Sequence, residues 1–456
     1  MPNSRKKEFI HETITKPENR KKRLLQKLFL NMGMALIFGV VASLTFVVFK
    51  PLWEDRFSET TPPESISIPR DETTTAPPET SSAETSTQAA EDPSELESMV
   101  QSLIEANQAD VQDYQNMYHA MGNVVVTANK SLAVITANKT GIDLFDNEVQ
   151  SNAETCGMII AIISSEVVIL TDDSLLGETD SFYVTFGNYG GAEGYLKQVD
   201  SVTGLAVITV PISSLDTSVT DHIQPIPLGN SYVATQGNPV ITMGTPLGYT
   251  KSVSYGMISY INGNVQGEDC ILRLMQTNIT GVDNARGMLL NLDGELIGWI
   301  TPKYPGSSGN LLAAISISDL KPMIQKLSNG ETITSLGIMG QTITAEIAEA
   351  QDLPMGVYIS QCISGKSAYA AGLQSGDILT AIGDVPILSM KDVQTCMESL
   401  HTGDRMTVNV QRGGREGYTE KVFEVVLKPR YENRCAILKN CTMGTGFPGF
   451  IFAKAR

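Results

Sequence analysis

One apolar run interrupts an otherwise mixed N-terminal region. Residues 28–49 read LFLNMGMALIFGVVASLTFVVF, 22 residues without a charge, long enough at about 1.5 Å rise per residue to cross a bilayer core. A transmembrane helix is predicted over residues 28–50. A cleaved signal peptide would need a shorter run and a small-x-small site after it, whereas Lys50, Pro51 and Trp53 follow here. Past residue 120 the pattern becomes short runs of Val, Ile and Thr separated by Gly, Asn and Asp. They fall at 123–128, 132–137, 158–164, 167–171, 182–186, 205–210, 239–243, 270–275 and 296–300. Many short strands at near-regular spacing predict a mainly β fold, a barrel or sandwich, and the length of this stretch predicts two barrels. A helix is predicted over 94–119, with Ser94 as N-cap, Glu97 completing a capping box, and Leu96, Val100, Leu103 and Ile104 on one face. It reads either as a lead-in to the domain or as an oligomerisation element.

Charge orients the apolar run. Residues 1–27 carry nine Lys/Arg against three Glu, within a 456-residue chain of net charge −17. The positive-inside rule then keeps the N-terminus cytoplasmic and puts the bulk of the chain outside a cell membrane crossed once. The acidic remainder excludes general nucleic-acid binding, because nothing along it neutralises phosphates. Residues 58–93 are mostly Ser, Thr, Pro, Glu and Ala, with eight acidic residues and one basic. Such a segment buries too little apolar area to offset its ordering entropy, so a disordered stalk is predicted over 51–97. Its Ser/Thr content also suits glycosylation. Six cysteines without a Cys-x-x-Cys pair argue against a disulfide scaffold or a cysteine zinc site, and no cofactor or metal is expected.

Particular motifs carry a resemblance. Pro225-Ile-Pro-Leu-Gly-Asn-Ser231, Val240-Ile-Thr-Met-Gly-Thr-Pro-Leu-Gly248, Val253-Ser-Tyr-Gly-Met-Ile-Ser-Tyr260 and Leu289-Leu-Asn-Leu-Asp-Gly-Glu-Leu-Ile-Gly298 resemble the second barrel of HtrA (Deg) trypsin-like serine proteases. Gly157-Met-Ile-Ile-Ala161, Ile169-Leu-Thr171 and Leu205-Ala-Val-Ile208 are similar to pieces of the first. The resemblance spans about residues 110–330 and implies a trypsin-like double β-barrel. It also implies where a Ser–His–Asp triad would stand. The histidine position falls on Ser174, after Leu170-Thr171 and two intervening residues, and the aspartate position on Gly204 before Leu205-Ala-Val. Counting back from Asn291 puts the nucleophile position on Ala285, and counting forward from Thr277 puts it on Arg286. Acyl transfer needs a hydroxyl, an imidazole and an orienting carboxylate, so the triad is expected to be degenerate. Asp283 and Arg286 replace glycines of the family's nucleophile loop. His119, His222 and His401 read as surface or packing residues, and Asp172 and Asp173 as turn formers in preference to cation ligands.

Residues 331–428 resemble a PDZ domain, through Ser335-Leu-Gly-Ile-Met-Gly340 and Ala368-Tyr-Ala-Ala-Gly-Leu-Gln-Ser-Gly-Asp-Ile-Leu379. PDZ domains add an extended peptide to a sheet edge and hold its terminal carboxylate in a nest of N–H groups. The resemblance assigns that nest to Leu336, Gly337 and Ile338. A PDZ domain that only braces the barrels is the blander reading.

The expected layout is a basic cytoplasmic segment (1–27), a transmembrane helix (28–50), a stalk (51–97), a protease-like domain (98–330), a PDZ domain (331–428) and a tail (429–456). Cys435 and Cys441 in the tail fit a short disulfide loop or free thiols equally. The expected function is a membrane-anchored pseudoprotease that binds unfolded or C-terminally exposed polypeptides, with an active HtrA relative as a second class of partner. An active endopeptidase with a non-standard catalytic arrangement is the alternative. The family also implies a homotrimer, with Tyr114 and Tyr118 as aromatic contacts.

Overall fold

Period-two alternation along each apolar run separates two cores. In the computed structural model β1 (Leu132–Ile142), β2 (Glu148–Ile162), β3 (Glu166–Asp172), β4 (Ser181–Phe186), β5 (Gly190–Asp200) and β6 (Leu205–Pro211) close a first barrel in the order β1-β2-β3-β6-β5-β4. Strands β7 (Pro239–Gly244), β8 (Ser252–Gly267), β9 (Cys270–Thr280), β10 (Gly287–Leu290), β11 (Leu296–Ile300) and β12 (Leu311–Ser316) close a second, in the order β10-β11-β12-β9-β8-β7. On β3, Val167 and Ile169 fill the first barrel, while Val168 and Leu170 join Met243, Met288 and Trp299 in a cluster shared by both barrels. Both faces of β3 are therefore buried, which is why its sequence runs Val-Val-Ile-Leu without a polar break. Gly287 (φ +149°) permits the close approach of β10 to β7, because a Cβ there would lie 2.2 Å from the Met243 carbonyl oxygen.

The structure describes residues 64–72, 111–142, 148–175, 181–304, 310–415 and 417–430. The predicted basic segment, the span at 28–50, Ser94 with its capping box, most of the stalk, and Cys435 and Cys441 lie outside the described residues. Among the described residues no helix is long and apolar enough to cross a membrane.

Two expectations change. Residues 123–128 are not a strand: helix α1 spans Val111–Ala128. The Val124–Val126 run has β propensity, but Met121 and Ala128 are buried, Val124 and Val125 pack on the shared core, and Val126 is exposed. One stripe facing inward is a helical pattern, and packing overrides propensity here. Nor is the stalk solvated throughout. Ile66 and Ile68 pack against the shared core, beside helix α2 (Ile317–Ser328). The Ile66 N–H donates to Asn329 Oδ1 (2.8 Å), Asn329 Nδ2 donates to the Ile66 carbonyl (2.9 Å), and the Ile68 N–H donates to Gln325 Oε1 (3.0 Å). Two isoleucines and side-chain amides that satisfy the backbone make this piece of stalk a strap. Asp71 pairs with the buried Lys321 at 2.7 Å. Replacing Asp71 by Ala is expected to cost about 1–2 kcal/mol in urea unfolding, because the loosened strap lets water reach Lys321.

The C-terminal unit is a sheet in the order β14 (Ile338–Ile343), β15 (Gly356–Cys362), β16 (Ile378–Ile382), β18 (Arg405–Gly414), β19 (Gly417–Val426). The short β17 (Val385–Pro386) pairs with β16, and β13 (Thr334–Ser335) pairs with β20 (Lys428–Pro429). Helix α3 (Met390–Ser399) carries a full capping box between Ser389 and Asp392, and buries Met390, Val393 and Met397 on the sheet. Arg70 of the strap reaches Glu398 on α3 at 2.7 Å.

Candidate functional site

At the C-terminal end of β3, Asp172 is 3% exposed and gathers donors from both barrels. Thr155 Oγ1 of β2 and Ser174 Oγ donate to it, as does the Ser174 N–H at 2.9 Å. From the loop before β10, Arg286 Nε pairs with Asp172 Oδ1 at 3.2 Å. The Arg286 carbonyl accepts the Thr245 N–H at 2.9 Å, which fixes that loop to the turn after β7. Asp173 is also paired, with Lys303 at 2.5 Å. Adjacent carboxylates expected to be turn formers are thus each neutralised by a base from the second barrel. Among the described residues no cluster suits a metal.

Of the three positions read as triad equivalents, Ser174 and Gly204 adjoin the two aspartates, while Ala285 lies in the second-barrel loop next to Arg286. Ser174 is exposed in a 3-10 turn, with its hydroxyl directed to Asp172. The Gly204 carbonyl accepts the Asp173 N–H at 3.1 Å. Gly204 has φ +79°, and a Cβ there would meet Thr301 Oγ1 at 3.1 Å, so a side chain at 204 is strained. Ala285 is 5% exposed inside the second barrel. Its N–H donates to the Val282 carbonyl at 2.9 Å and is therefore engaged within the loop, whereas an oxyanion hole needs free donors. Arg286, the alternative position, holds its guanidinium on Asp172.

No imidazole reaches the seam among the described residues. His119 lies on α1; His222 stacks on Tyr189 with centroids 4.0 Å apart and contacts the Ser218 carbonyl; His401 lies beside Asp404. Cys156, next to Thr155, is no substitute nucleophile, because burial raises its thiol to about 11 and keeps it protonated. A cavity of about 150 Å³ borders Ala285, with Val282, Ile300, Thr301 and Tyr304 in its wall. Burial pushes the Tyr304 phenol up to about 12, leaving it a neutral hydroxyl. The cavity can take a side chain, and among the described residues no imidazole borders it to activate a hydroxyl.

The second candidate site begins at the edge of the C-terminal sheet. Leu336, Gly337 and Ile338 are buried and their three N–H groups converge, with Gly337 at φ +81°. They converge on a carboxylate of the same chain. Asp269, at the tip of the β8–β9 hairpin, accepts Leu336 N–H at 2.9 Å, Gly337 N–H at 2.9 Å and Ile338 N–H at 2.9 Å. Next to it, Ser335 Oγ donates to Asp269 at 2.9 Å and also to Glu268. Burial, then the charge of Asp269, raise the Glu268 carboxyl above its ordinary range.

The trypsin-like peptidase domain family matches residues 159–298, and the PDZ domain family matches 358–412. A probable periplasmic serine endoprotease DegP-like of Pseudomonas fulva is 26% identical over 260 residues, 56% of this chain and 52% of that protein. The chain combines a trypsin-like peptidase domain with a PDZ domain and is similar to HtrA/DegP-type proteases. Periplasmic serine endoprotease DegP of Escherichia coli is 26% identical over 206 residues, 43% of each chain. The chain spans about half the length of the curated relatives it matches. A substituted form of the HtrA-type protease AlgW with tripeptide shares the fold at TM-score 0.50 and 22% identity, over 68% of this chain and 98% of that one.

Against the HtrA reading of the sequence, two residues gain roles that spacing did not assign. Asp172 is the centre of the seam, and its signal was its place just past the unbroken apolar run Val167-Val-Ile-Leu170. Asp269 is the acceptor on which the N–H groups of Leu336, Gly337 and Ile338 converge. It sits in a Gly-Glu-Asp-Cys hairpin tip, where nothing local distinguishes it from an ordinary turn acid.

Proposed function

We propose that the chain is a membrane-anchored, extracytoplasmic HtrA-type pseudoprotease. It binds unfolded or C-terminally exposed polypeptides, takes their C-termini through the PDZ domain, and serves as a scaffold, regulator or envelope quality-control factor. The layout carried into this reading is the basic segment 1–27, the anchor 28–50, the linker 51–97, the barrels 98–330, the PDZ domain 331–428 and the tail 429–456. The observation that supports it most is the Asp172–Arg286 pair at 3.2 Å. It ties the nucleophile loop to the end of β3, with a methyl at 285 and no imidazole at hand among the described residues. Relatives named as periplasmic proteins support the extracytoplasmic placement. Assembly as a homotrimer belongs to the same proposal. Tyr114 and Tyr118 are exposed on α1, and Tyr118 meets Tyr255 edge-on at 6.3 Å.

An active endopeptidase is the competing reading, favoured by the serine endoprotease names of the relatives. A fluorophosphonate probe separates the two, since it labels a serine that has both a base and an oxyanion hole. The full chain is expected to take up no probe and to leave casein intact over many hours. Stoichiometric labelling of a single serine, with matching casein turnover, would overturn the pseudoprotease.

A further inference from the structure

We infer that Asp269 is an internal ligand of the PDZ nest, which holds the peptide groove closed until a polypeptide C-terminus displaces the β8–β9 hairpin. This rests on the peptide-binding role proposed above for Leu336–Ile338 and adds a regulatory state to it.

The hairpin reproduces the chemistry of a bound C-terminus at three points. First, the Asp269 carboxylate takes the nest's three N–H groups, one of which (Gly337) bridges both oxygens at 2.9 and 3.1 Å. Second, the Asp269 N–H donates to the Ile338 carbonyl at 2.9 Å, the ladder bond that an added strand makes with β14. Third, two residues on, Ile271 packs against the PDZ core around Leu336, Ile338 and Val393. An acid in the nest followed by an aliphatic side chain in the apolar core occupies the places of a carboxylate and its anchoring residue.

The arrangement is specific to Asp269. The residue is 1% exposed and sits at φ +59°, a left-handed conformation that Asp and Asn tolerate better than most side chains. Charge-assisted bonds to N–H donors are about twice as strong as neutral ones, which offsets that strain. Lys366 beside the nest lies 3.5 Å from Glu268, so the neighbouring acid holds the cation at the groove mouth. What remains between the hairpin and α3 is a cavity of about 50 Å³ bordered by Asp269, Leu272, Gln394 and Met397. That is room for a few waters, not for a peptide strand.

An incoming C-terminus must therefore exchange its carboxylate for that of Asp269, and no covalent bond changes. The test compares the full chain with Asp269→Asn and Asp269→Gly. Asn keeps the backbone preference and shape without the charge, and Gly removes the ligand and the strain together. The probe is a pooled random decapeptide library, fluorescein-labelled at its N-termini, with free C-terminal carboxylates; the same pool amidated is the control. Anisotropy titrations are expected to show the free-carboxylate pool binding both variants about 10- to 100-fold more tightly than the parent chain. The amidated pool should bind all three weakly. Hydrogen exchange at the amides of 336–338 should accelerate at least tenfold in Asp269→Gly, independently of any peptide. Equal peptide affinity in parent and variants overturns the closed groove but leaves the peptide-binding role intact. Faster exchange with no carboxylate-dependent binding in any form overturns both.

Discussion

Replacing Asp172 by Ala is expected to destabilise the paired barrels by about 3 kcal/mol. The carboxylate is 3% exposed and serves Thr155, the Ser174 N–H and hydroxyl, and Arg286. Removing one member of a buried ion pair typically costs about 3–5 kcal/mol, since the orphaned charge cannot move to water. Arg286 keeps a side-chain exposure of 25%, so water relieves part of that penalty and the lower end of the range applies. Urea unfolding followed by the fluorescence of the buried Trp299 should show a lower midpoint at an unchanged slope. Arg286→Ala alone should cost less, because Asp172 keeps its three neutral donors, and the double variant should be less than additive. A loss below about 0.5 kcal/mol in Asp172→Ala would mean that the seam is not held by this carboxylate.

Asp377→Ala is expected to loosen the PDZ sheet by about 3–4 kcal/mol, since Arg412 keeps a side-chain exposure of 24%. Asp377 is 1% exposed, accepts the Gln374 N–H at 2.9 Å, and binds Arg412 in a fork at 2.6 and 2.7 Å. Arg412 also donates to the Gly372 carbonyl at 3.0 Å and lies 5.2 Å from the centre of the Phe423 ring. One carboxylate therefore joins the turn before β16 to β18 and β19, and a planar fork of this kind is not replaced by water. Exchange of the buried amides of β15 and β16 should rise by about 10²- to 10³-fold, while amides of β3 and β6 move much less. Equal protection in parent and variant would show that the fork is dispensable.

The same Asp377 shows what the sequence made legible. Its Ala-Gly-Leu-x-x-Gly-Asp-Ile motif is local: Gly372 and Gly376 take φ +98° and +95°, and the acid closes the turn between them. Strands β3, β6, β7 and β11 were equally legible, because burial on both faces writes uninterrupted apolar runs. Strands β5, β8, β10 and β12 were not singled out as strands; β5 mixes Gly, Glu and Lys with few apolar residues, and its register comes from its neighbours. The ends of the seam were readable one residue at a time, as Ser174, Gly204 and Ala285. Their mutual bonding was not, since it depends on Asp172 meeting a base 114 positions further along the chain. The Asp269 contact is hidden for the same reason: its donors lie in another domain, and an acid at a hairpin tip looks like any solvated turn.

Arg430 follows the last strand of the PDZ unit, yet it returns to the barrels. Its N–H donates to the Ile333 carbonyl at 2.7 Å, its guanidinium donates to the Glu268 carbonyl at 2.9 Å, and Asp200 of the first barrel lies 3.7 Å away. Together with the strap and the Asp269 hairpin, it means that both ends of the PDZ unit and its binding edge are engaged at once. A domain hung on a single linker can swing freely at little energetic cost. Here reorientation is concerted: moving the PDZ unit off the hairpin also pulls a buried guanidinium from the Glu268 carbonyl, so the hold of Asp269 on the amides of residues 336–338 is coupled to the rigidity of the sheet on the barrels.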